Sequence, residues 1–510
     1  MTRTLNQSTA GDKVLAVDIG TTSVRAFAFG SDGSISGRSQ LAYPTLRPNP
    51  YFEEQDPEAV KSATFDAIAS LFKSGQVKPE VIGGISFSSQ MYNLIAVDEI
   101  GKPLTNSILW SDGRAEAQAA DMKGRPGALE LYRNTGCPMN SIYPIAKIAW
   151  LRENEPSAFS RAARFVSIKE YVLRDLVGEW VVDHSMASAT GLFDIAERTW
   201  HGPALKAAGI GLENLSTPVS GTTPFSLAED SPLSSLGLSK DVRIFLGAGD
   251  GPLANLGSGA LETGAINIDL GTSGAARCTV DEAVTDNAAS LWCFCLDEAR
   301  WAYGGIVTNV GNAYQWLAAS VAEASGMSAE AAFEYLNAKA KAIEPGSTGL
   351  IFMPYLRKAR SPYWDDSLKG TMYGLTPDHG FGHMARALLE AVAYDLKTII
   401  GLMDARIRTL PRILLTGGLS RSPVVPSILA DVLDREILIP RQNEGSIAGA
   451  AILGYRGLGV ESRFGDPGAA GGALVRPDPE RAGVYAQRYL EYTRLVERLR
   501  GFGVSERREA

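Results

Sequence analysis

The stretch Val14-Leu-Ala-Val-Asp18-Ile-Gly20-Thr21-Thr22-Ser-Val-Arg25-Ala, which runs on into Phe27-Ala-Phe29, decides the fold. Residues 14–17 are an apolar run and read as a buried strand. Gly20 permits a tight reversal, and Val24 to Phe29 alternates as a second strand beside the first. A Gly-Thr-Thr hairpin tip presents backbone N–H groups and two hydroxyls to an anion, and Asp18 beside it suits a metal, held directly or through water. An ordinary hairpin with an Asp at its end explains the same residues, and short Gly/Thr motifs recur by chance. A second copy weighs against that reading. Ala265-Ile-Asn-Ile-Asp269-Leu-Gly271-Thr272-Ser273-Gly274 repeats the order of apolar strand, Asp, any residue, Gly-Thr and a further apolar segment. Two such tips in one chain predict two similar lobes facing one phosphate chain.

A chain of 510 residues is too long for one core, so two or three domains are expected. A hydrophobic fraction of 45% supports burial, and a charged fraction of 21% argues against extended disorder. The net charge of -8 excludes general attraction to nucleic acid or an acidic membrane face, so local groups must hold any anionic ligand. Met1 to Gly11 is polar and lacks the apolar core of a signal peptide, and no apolar stretch approaches membrane-spanning length; a cytoplasmic location is expected. Of the four cysteines, Cys293 and Cys295 sit in the strand-like run Leu291-Trp-Cys-Phe-Cys-Leu with no other Cys or His close in sequence. They read as buried structural thiols rather than a metal site.

Along the chain, Asp56-Pro57-Glu58 caps a helix whose stripe is Val60, Ile68, Leu71 and Phe72. Val81 to Phe87 is a strand that runs into Ser88-Ser-Gln90-Met91-Tyr92. Residues 110–200 are more helical, with helices at 144–151 and 169–176, and read as a substrate-facing insertion. Val242 to Leu246 is a strand leading into a glycine-dense turn, Gly247-Ala-Gly249-Asp250-Gly251, with one acid at its tip. The second lobe follows with strands near 276–280, 290–296 and 301–306, helices at 309–322 and 384–403, a strand over 411–416 ending in Gly417-Gly418, and a small-residue helix from Gly445. Residues 465–472 read as a linker and 481–499 as an amphipathic helix carrying Tyr485, Tyr489 and Tyr492. The domain division expected is 12–248 for the N-terminal lobe, 249–460 for the C-terminal lobe, and 461–510 for linker and final helix.

Phosphoryl transfer requires held phosphates, a metal to spread charge, and a base near the attacking hydroxyl. Asp18 suits the metal, the Thr21/Thr22 and Thr272/Ser273 tips suit phosphates, and Asp250 suits the base. Asp-Gly is also a common turn pair, and turn formation alone accounts for Asp250. With these pieces the chain resembles the FGGY carbohydrate kinases from Val14 to about Gly457. The motifs DIGTTSVRA, ISFSSQM, ILWSDGRA, GAGDGPLANLGSGA, DLGTSG, LLTGGLSRS and GSIAGAAILG occur in the family's order.

The resemblance implies a two-lobed α/β fold of the actin/hexokinase-like (ribonuclease-H-like) ATPase type, with a deep interdomain cleft. It implies ATP and Mg²⁺, with Asp18 near the metal and Gly20, Thr21, Thr22, Arg25, Gly271, Thr272, Ser273, Gly311, Gly417 and Gly418 along ATP. Asp250 is then the base on the sugar hydroxyl, and Gln90, Met91, Asp112 and Arg114 contact the sugar. Within the family the segments at 85–91, 94–98, 101–105, 168–171 and 184–191 are most similar to gluconate kinases, with xylulose kinases close behind. Gluconate needs a cation for its carboxylate, for which Arg114 and Lys147 are candidates, although a structural ion pair explains each. Two departures bear on the sugar. Tyr92 stands where the family has His, and Lys358-Ala-Arg360-Ser-Pro362 lacks the family's Glu. The expected partner is a small sugar or sugar acid, not nucleic acid or membrane, with a homodimer as the one assembly considered. A nucleotide-switched binding module is the non-kinase alternative.

Overall fold

The computed structural model describes residues 11–260, 263–365, 367–407, 412–441, 444–462, 471–500 and 502. Residues 465–470 of the expected linker lie outside the described residues. Two compact units take up the chain. The first comprises the described residues within Met1–Leu261, Val280–Ala302 and Glu444–Ala469, and the second those within Glu262–Thr279, Tyr303–Asn443 and Ala470–Ala510. The sequence division at 248/249 and 460/461 is linear, whereas the units interleave. Helices Asp250–Gly257 and Gly445–Gly457 both belong to the first unit.

The first unit is built on one sheet in the strand order 225–226, 243–249, 82–89, 13–19, 23–29, 35–42. Lys13–Ile19 is antiparallel to Ser23–Phe29 and parallel to Ile82–Ser89, which is parallel in turn to Arg243–Gly249. The apolar run of the first strand is continuous because helices cover both faces of the sheet. Leu15, Val17 and Ile19 join one core with Val60, Ile68 and Leu71 of helix Pro57–Lys73, and with Val172 and Leu176 of helix Ile168–Val177. The alternate residues Val14 and Ala16 join the other core with Leu253, Leu256, Ile447 and Leu453.

Gly247 to Gly259 is not the open turn its glycines predict. Arg243–Gly249 ends and helix Asp250–Gly257 starts at once, with Gly249 as N-cap. Gly247 and Gly259 still take positive φ, 67° and 89°, whereas Gly257 serves helix packing with Gly449 of the neighbouring helix. A Cβ on Gly257 would lie 2.0 Å from the Gly445 carbonyl oxygen, and one on Gly449 would lie 2.1 Å from that of Leu253. The two helices therefore touch backbone to backbone.

In the second unit the strands run in the order 301–307, 274–280, 266–270, 413–416, 437–440, 472–475. Ile266–Leu270 is antiparallel to Gly274–Val280 and parallel to Ile413–Thr416, which is parallel to Ile437–Pro440. Hairpin and parallel neighbours thus repeat the plan of the first unit, as the duplicated motif predicts. Gly472, expected in the linker, begins a strand, because Gly472–Val475 pairs with Ile437–Pro440. Helix Ala329–Lys341 was not anticipated. The C-terminal helix, Pro479–Leu499, docks through buried hydroxyls on helix Phe381–Asp404: Tyr485 donates to Glu390 at 3.0 Å, and Tyr492 and Tyr355 each donate to Asp395 at 3.0 Å. All four cysteines are buried. No described helix is long and apolar enough to cross a membrane.

Two outcomes follow from this packing. Gly449→Val forces the helix pair apart and lowers stability by about 3 kcal/mol, read by thermal unfolding. Burial pushes the Asp395 carboxyl up to about 7. Its contribution is complete below the ordinary carboxylate range and is lost as pH rises through about 7, since the unfolded state releases the proton first. Stability of the wild type relative to Asp395→Asn therefore falls between about pH 4 and pH 7, by several kcal/mol in order of magnitude; equal slopes for the two proteins would contradict this.

Candidate active site

Three parallel strands deliver the candidate residues to one sheet edge. In register, Asp18 lies beside Ser88 and Ser88 beside Ala248, while Ile19 lies beside Ser89 and Ser89 beside Gly249. The residues that follow at the carboxyl ends are Gly20, Gln90 and Asp250, and this end of a parallel sheet is where ligands bind in open α/β folds. With strands spaced about 4.8 Å apart, the first and third ends are separated by roughly 10 Å.

Asp18 is buried, on the sheet face that the helices 250–257 and 445–457 cover. Its Oδ1 accepts from Ser88 Oγ at 2.6 Å and from Ser446 Oγ at 3.1 Å; its Oδ2 accepts from Arg25 at 2.5 and 3.1 Å. Arg25, expected along ATP, therefore also compensates the Asp18 charge. At the tip, Gly20 N–H donates to the Ser23 carbonyl at 3.0 Å, Tyr43 hydroxyl donates to the Gly20 carbonyl at 2.5 Å, and Trp110 Nε1 approaches Thr21 Oγ1 at 3.4 Å. Thr22 is exposed. Among the described residues no group of three or more His, Cys, Asp or Glu is placed to hold a metal. One carboxylate with two hydroxyls suits Mg²⁺ carried mainly by phosphate and water, not an all-protein cage.

Asp250 is the first residue of its helix and half-buried, and its Oδ1 accepts from Gly251 N–H at 2.7 Å. The strand end before it is clamped on both sides. Lys169 Nζ donates to the Ala248 carbonyl at 3.0 Å, and Gly249 N–H donates to Ser185 Oγ at 3.2 Å. Lys169 also pairs with Asp183 at 2.7 Å, both side chains being 1% exposed. The other oxygen of Asp183 caps helix His184–Ser188 at Met186 N–H. Burial pushes the Lys169 ammonium down from its ordinary value, while Asp183 first, then Glu170 and Asp250, oppose that shift. Met91 lies against Gly249, where a Cβ would come within 2.7 Å of its sulfur.

The other expected sugar residues sit in tight polar surroundings. Gln90 is buried, and its Nε2 donates to Gln55 Oε1 at 2.8 Å. Asp112 is buried and accepts from Glu53 N–H at 2.7 Å, from Arg114 N–H at 2.9 Å, and from the Arg114 guanidinium at two points, each 2.8 Å. Arg114 reaches Glu54 as well at 2.5 Å and stacks over Phe52 at 3.8 Å. Burial acts against its charge, but Asp112 and Glu54 outweigh that and hold Arg114 above its ordinary value. Lys147 is fully buried and donates to the carbonyls of Tyr92, Leu109 and Ile108 at 2.6, 2.7 and 3.3 Å. Three backbone carbonyls thus gather around its ammonium. Tyr92 has φ 66° and packs edge-on against Tyr143 and Phe294, with centroids at 5.6 and 5.9 Å.

The second unit assembles its own tip. Gly271 N–H donates to Ser273 O at 2.9 Å, and the start of helix Gly311–Ser325 sits on the tip, with Gly311 N–H to Gly271 O at 3.2 Å and Asn312 N–H to Thr272 O at 3.0 Å. Gly417 has φ 82°, and a Cβ there would lie 2.4 Å from Leu270 O and 2.6 Å from Asp269 Oδ1, so only glycine fits. Gly418 opens the short helix that follows. Gly271, Thr272, Ser273, Gly311, Gly417 and Gly418 are thereby brought together. Sequence reasoning missed Ser88, Ser446, Gln55, Lys169 and Ser185. The double Ser that closes strand Ile82–Ser89 was the one visible signal; the rest are single polar residues whose partners lie far along the chain.

Known families match most of this chain. Residues 13–257 match the FGGY family of carbohydrate kinases, N-terminal domain, and residues 266–458 match the C-terminal domain of the same family. The chain is 36% identical over 456 residues to a gluconokinase of Bacillus subtilis (strain 168), covering 88% of each protein. Among solved structures it is similar to a gluconate kinase from Lactobacillus acidophilus, with TM-score 0.89, 29% identity and coverage of 97% of this chain and 99% of that one. A ligand-bound xylulose kinase from Lactobacillus acidophilus gives TM-score 0.87, also at 29% identity, with coverage of 96% and 98%.

Lys169→Met leaves Asp183 buried without its partner and lowers stability by about 3–5 kcal/mol. Pairing it with Asp183→Asn restores part of that loss, and a double-mutant cycle in urea measures the coupling. Additivity of the two substitutions would show that the pair does not act as a unit.

Proposed function

Because the chain belongs to the FGGY family of carbohydrate kinases, we propose that it transfers the γ-phosphate of ATP to a terminal hydroxyl of a small open-chain sugar acid, gluconate, in the cytoplasm. The observation that carries this reading is the strand register that ends Asp18, Gln90 and Asp250 along one sheet edge. Asp250 takes the proton of the attacking hydroxyl as the sugar oxygen bonds to the γ-phosphorus and the bond to the ADP oxygen breaks. Lys169 and Ser185 fix the strand end that aims Asp250. Gly20, Thr21, Thr22 and Arg25 of one hairpin, and Gly271, Thr272, Ser273, Gly311, Gly417 and Gly418 of the other unit, are the proposed ATP contacts. Mg²⁺, with Asp18 as its protein carboxylate, supplies charge neutralisation on the transferred phosphoryl group when bound. Gln90, Met91, Tyr92, Asp112 and Arg114 form the proposed sugar wall, in which Asp112 and Arg114 act as one ion-paired unit.

Similarity to the gluconokinase supports the choice of acid. D-Xylulose is the second reading, favoured by one feature: Arg114 is already paired with Asp112 and Glu54, and Lys147 is spent on carbonyls. A neutral ketose makes no demand on either cation.

Asp250→Asn lowers turnover ~10²–10⁴-fold while the protein stays folded. Coupled ADP release over gluconate, xylulose, ribulose and glycerol checks both points: near-normal turnover by the variant removes Asp250 as base, and a clear preference for a neutral ketose replaces gluconate.

A further inference from the structure

Gln55 has no place in the proposed wall, yet it is fully buried and links that wall to the tip proposed for ATP. Its Nε2 donates to the Thr21 carbonyl at 2.5 Å, and its Oε1 accepts from Gln90 Nε2 at 2.8 Å. Gln90 is 1% exposed, its Oε1 has no hydrogen-bond partner, and its backbone is pinned by Gln90 N–H to Ile19 O at 2.8 Å and by Asn93 Nδ2 to Gln90 O at 2.9 Å.

A Gln–Gln bond alone leaves both amides free to turn over. The Thr21 carbonyl removes that freedom, because a carbonyl only accepts. Gln55 must therefore turn its NH₂ to Thr21 and its oxygen to Gln90, and Gln90 must answer with its own NH₂. The unpartnered atom of Gln90 is then an oxygen, and an unpaired buried acceptor carries a penalty that a ligand donor relieves.

We propose that Gln55 is a positioning residue that fixes Gln90 as a hydrogen-bond acceptor, so that the sugar must present a hydroxyl donor there. The proposal rests on the kinase reading above for the identity of the ligand. It assigns orientation: the CHOH segment of the chain faces Gln90. The oxidised carbon, a carboxylate in an aldonate or a ketone in a ketose, lies elsewhere, since its lone pairs would oppose those of Gln90. Because the relay starts on the Thr21 carbonyl, it also ties the sugar contact to the tip proposed for phosphate.

The test has two arms on the full chain. In ¹⁵N-glutamine-labelled protein without ligand, the side-chain NH₂ signals of Gln55 and Gln90 are protected from solvent exchange, and Gln55→Leu removes the protection of Gln90. Fast exchange of the Gln90 NH₂ in the wild type, or unchanged protection in the variant, overturns the relay. The second arm measures kcat/KM for gluconate and xylulose and for their monodeoxy and monofluoro analogues. One position is sensitive in the wild type, where both deoxy and fluoro replacement lower kcat/KM roughly tenfold or more. In Gln55→Leu that loss shrinks severalfold as the Gln90 amide becomes free to turn. Gln55→Glu keeps the discrimination only in its neutral acid form, whose O–H donates to the Thr21 carbonyl while its other oxygen faces Gln90 Nε2. A fluoro analogue as good as the parent sugar, or Gln55→Leu with undiminished discrimination, overturns the acceptor assignment. If the wild type phosphorylates neither sugar, the gluconate and xylulose readings fail while the exchange arm still decides the relay.

Discussion

The contact on which the first unit depends is the approach of helix Asp250–Gly257 to helix Gly445–Gly457, closed to backbone distance at Gly257 and Gly449. Both helices lie on the sheet face that carries Val14, Ala16 and Asp18. Gly454 sets the depth, since a Cβ there would meet Val14 at 2.7 Å and Ser86 at 3.0 Å. A helix starting at Asp250 is thereby fixed in height over the strand ends, and Ser446 at the start of its neighbour reaches Asp18. Packing of small residues, rather than any loop, places the acid and the metal candidate on one edge. Precision of this kind is easier to hold on regular elements than on loops.

Buried charge is handled the same way throughout that edge: each cation is tied to a partner that also shapes the backbone. Arg25 answers Asp18 across the hairpin, Lys169 answers Asp183 behind the Asp250 strand, and Arg114 answers Asp112 and Glu54. An isolated buried charge is expensive, and a pair is worth little unless its remaining hydrogen-bonding positions are filled. Here they are filled by backbone groups at chosen points, such as the Ala248 carbonyl for Lys169 and the Glu53 N–H for Asp112. The energetic return is geometry, since each pair immobilises a segment next to a candidate functional residue.

Much of this was legible in the sequence for a physical reason. The Asp-Xaa-Gly-Thr hairpins announce themselves twice because strand composition, turn glycine and tip hydroxyls are local features, and the repeated sheet plan follows from them. The helix at Asp250 was misread as a turn because glycine signals both freedom and close approach. Only the partner helix, far along the chain, tells which applies. Arg114 was visible as a cation, but its neutralisation by Glu54, sixty positions earlier, was not. Lys169 and Gln55 were silent for the same cause: a single polar residue acquires a role from what surrounds it, and those surroundings are tertiary.

The saturated cations bear on how this edge distinguishes acceptors. Arg25 and Arg114 each face a carboxylate at 2.5 Å, so a substrate carboxylate would compete with an existing, well-formed pair instead of meeting a waiting charge. A protein of net charge -8 adds no attraction of its own. What the edge does offer is oriented dipoles, a buried amide oxygen at Gln90 and carbonyls and N–H groups at the strand ends, beside Tyr92, which is backed by the buried rings of Tyr143 and Phe294. Sites of that kind reject a substrate lacking the matching hydroxyl far more strongly than they reject one differing in bulk or remote charge. Discrimination by hydroxyl pattern, with charge secondary, would accommodate the presence of both a gluconate kinase and a xylulose kinase among the solved structures this chain is similar to.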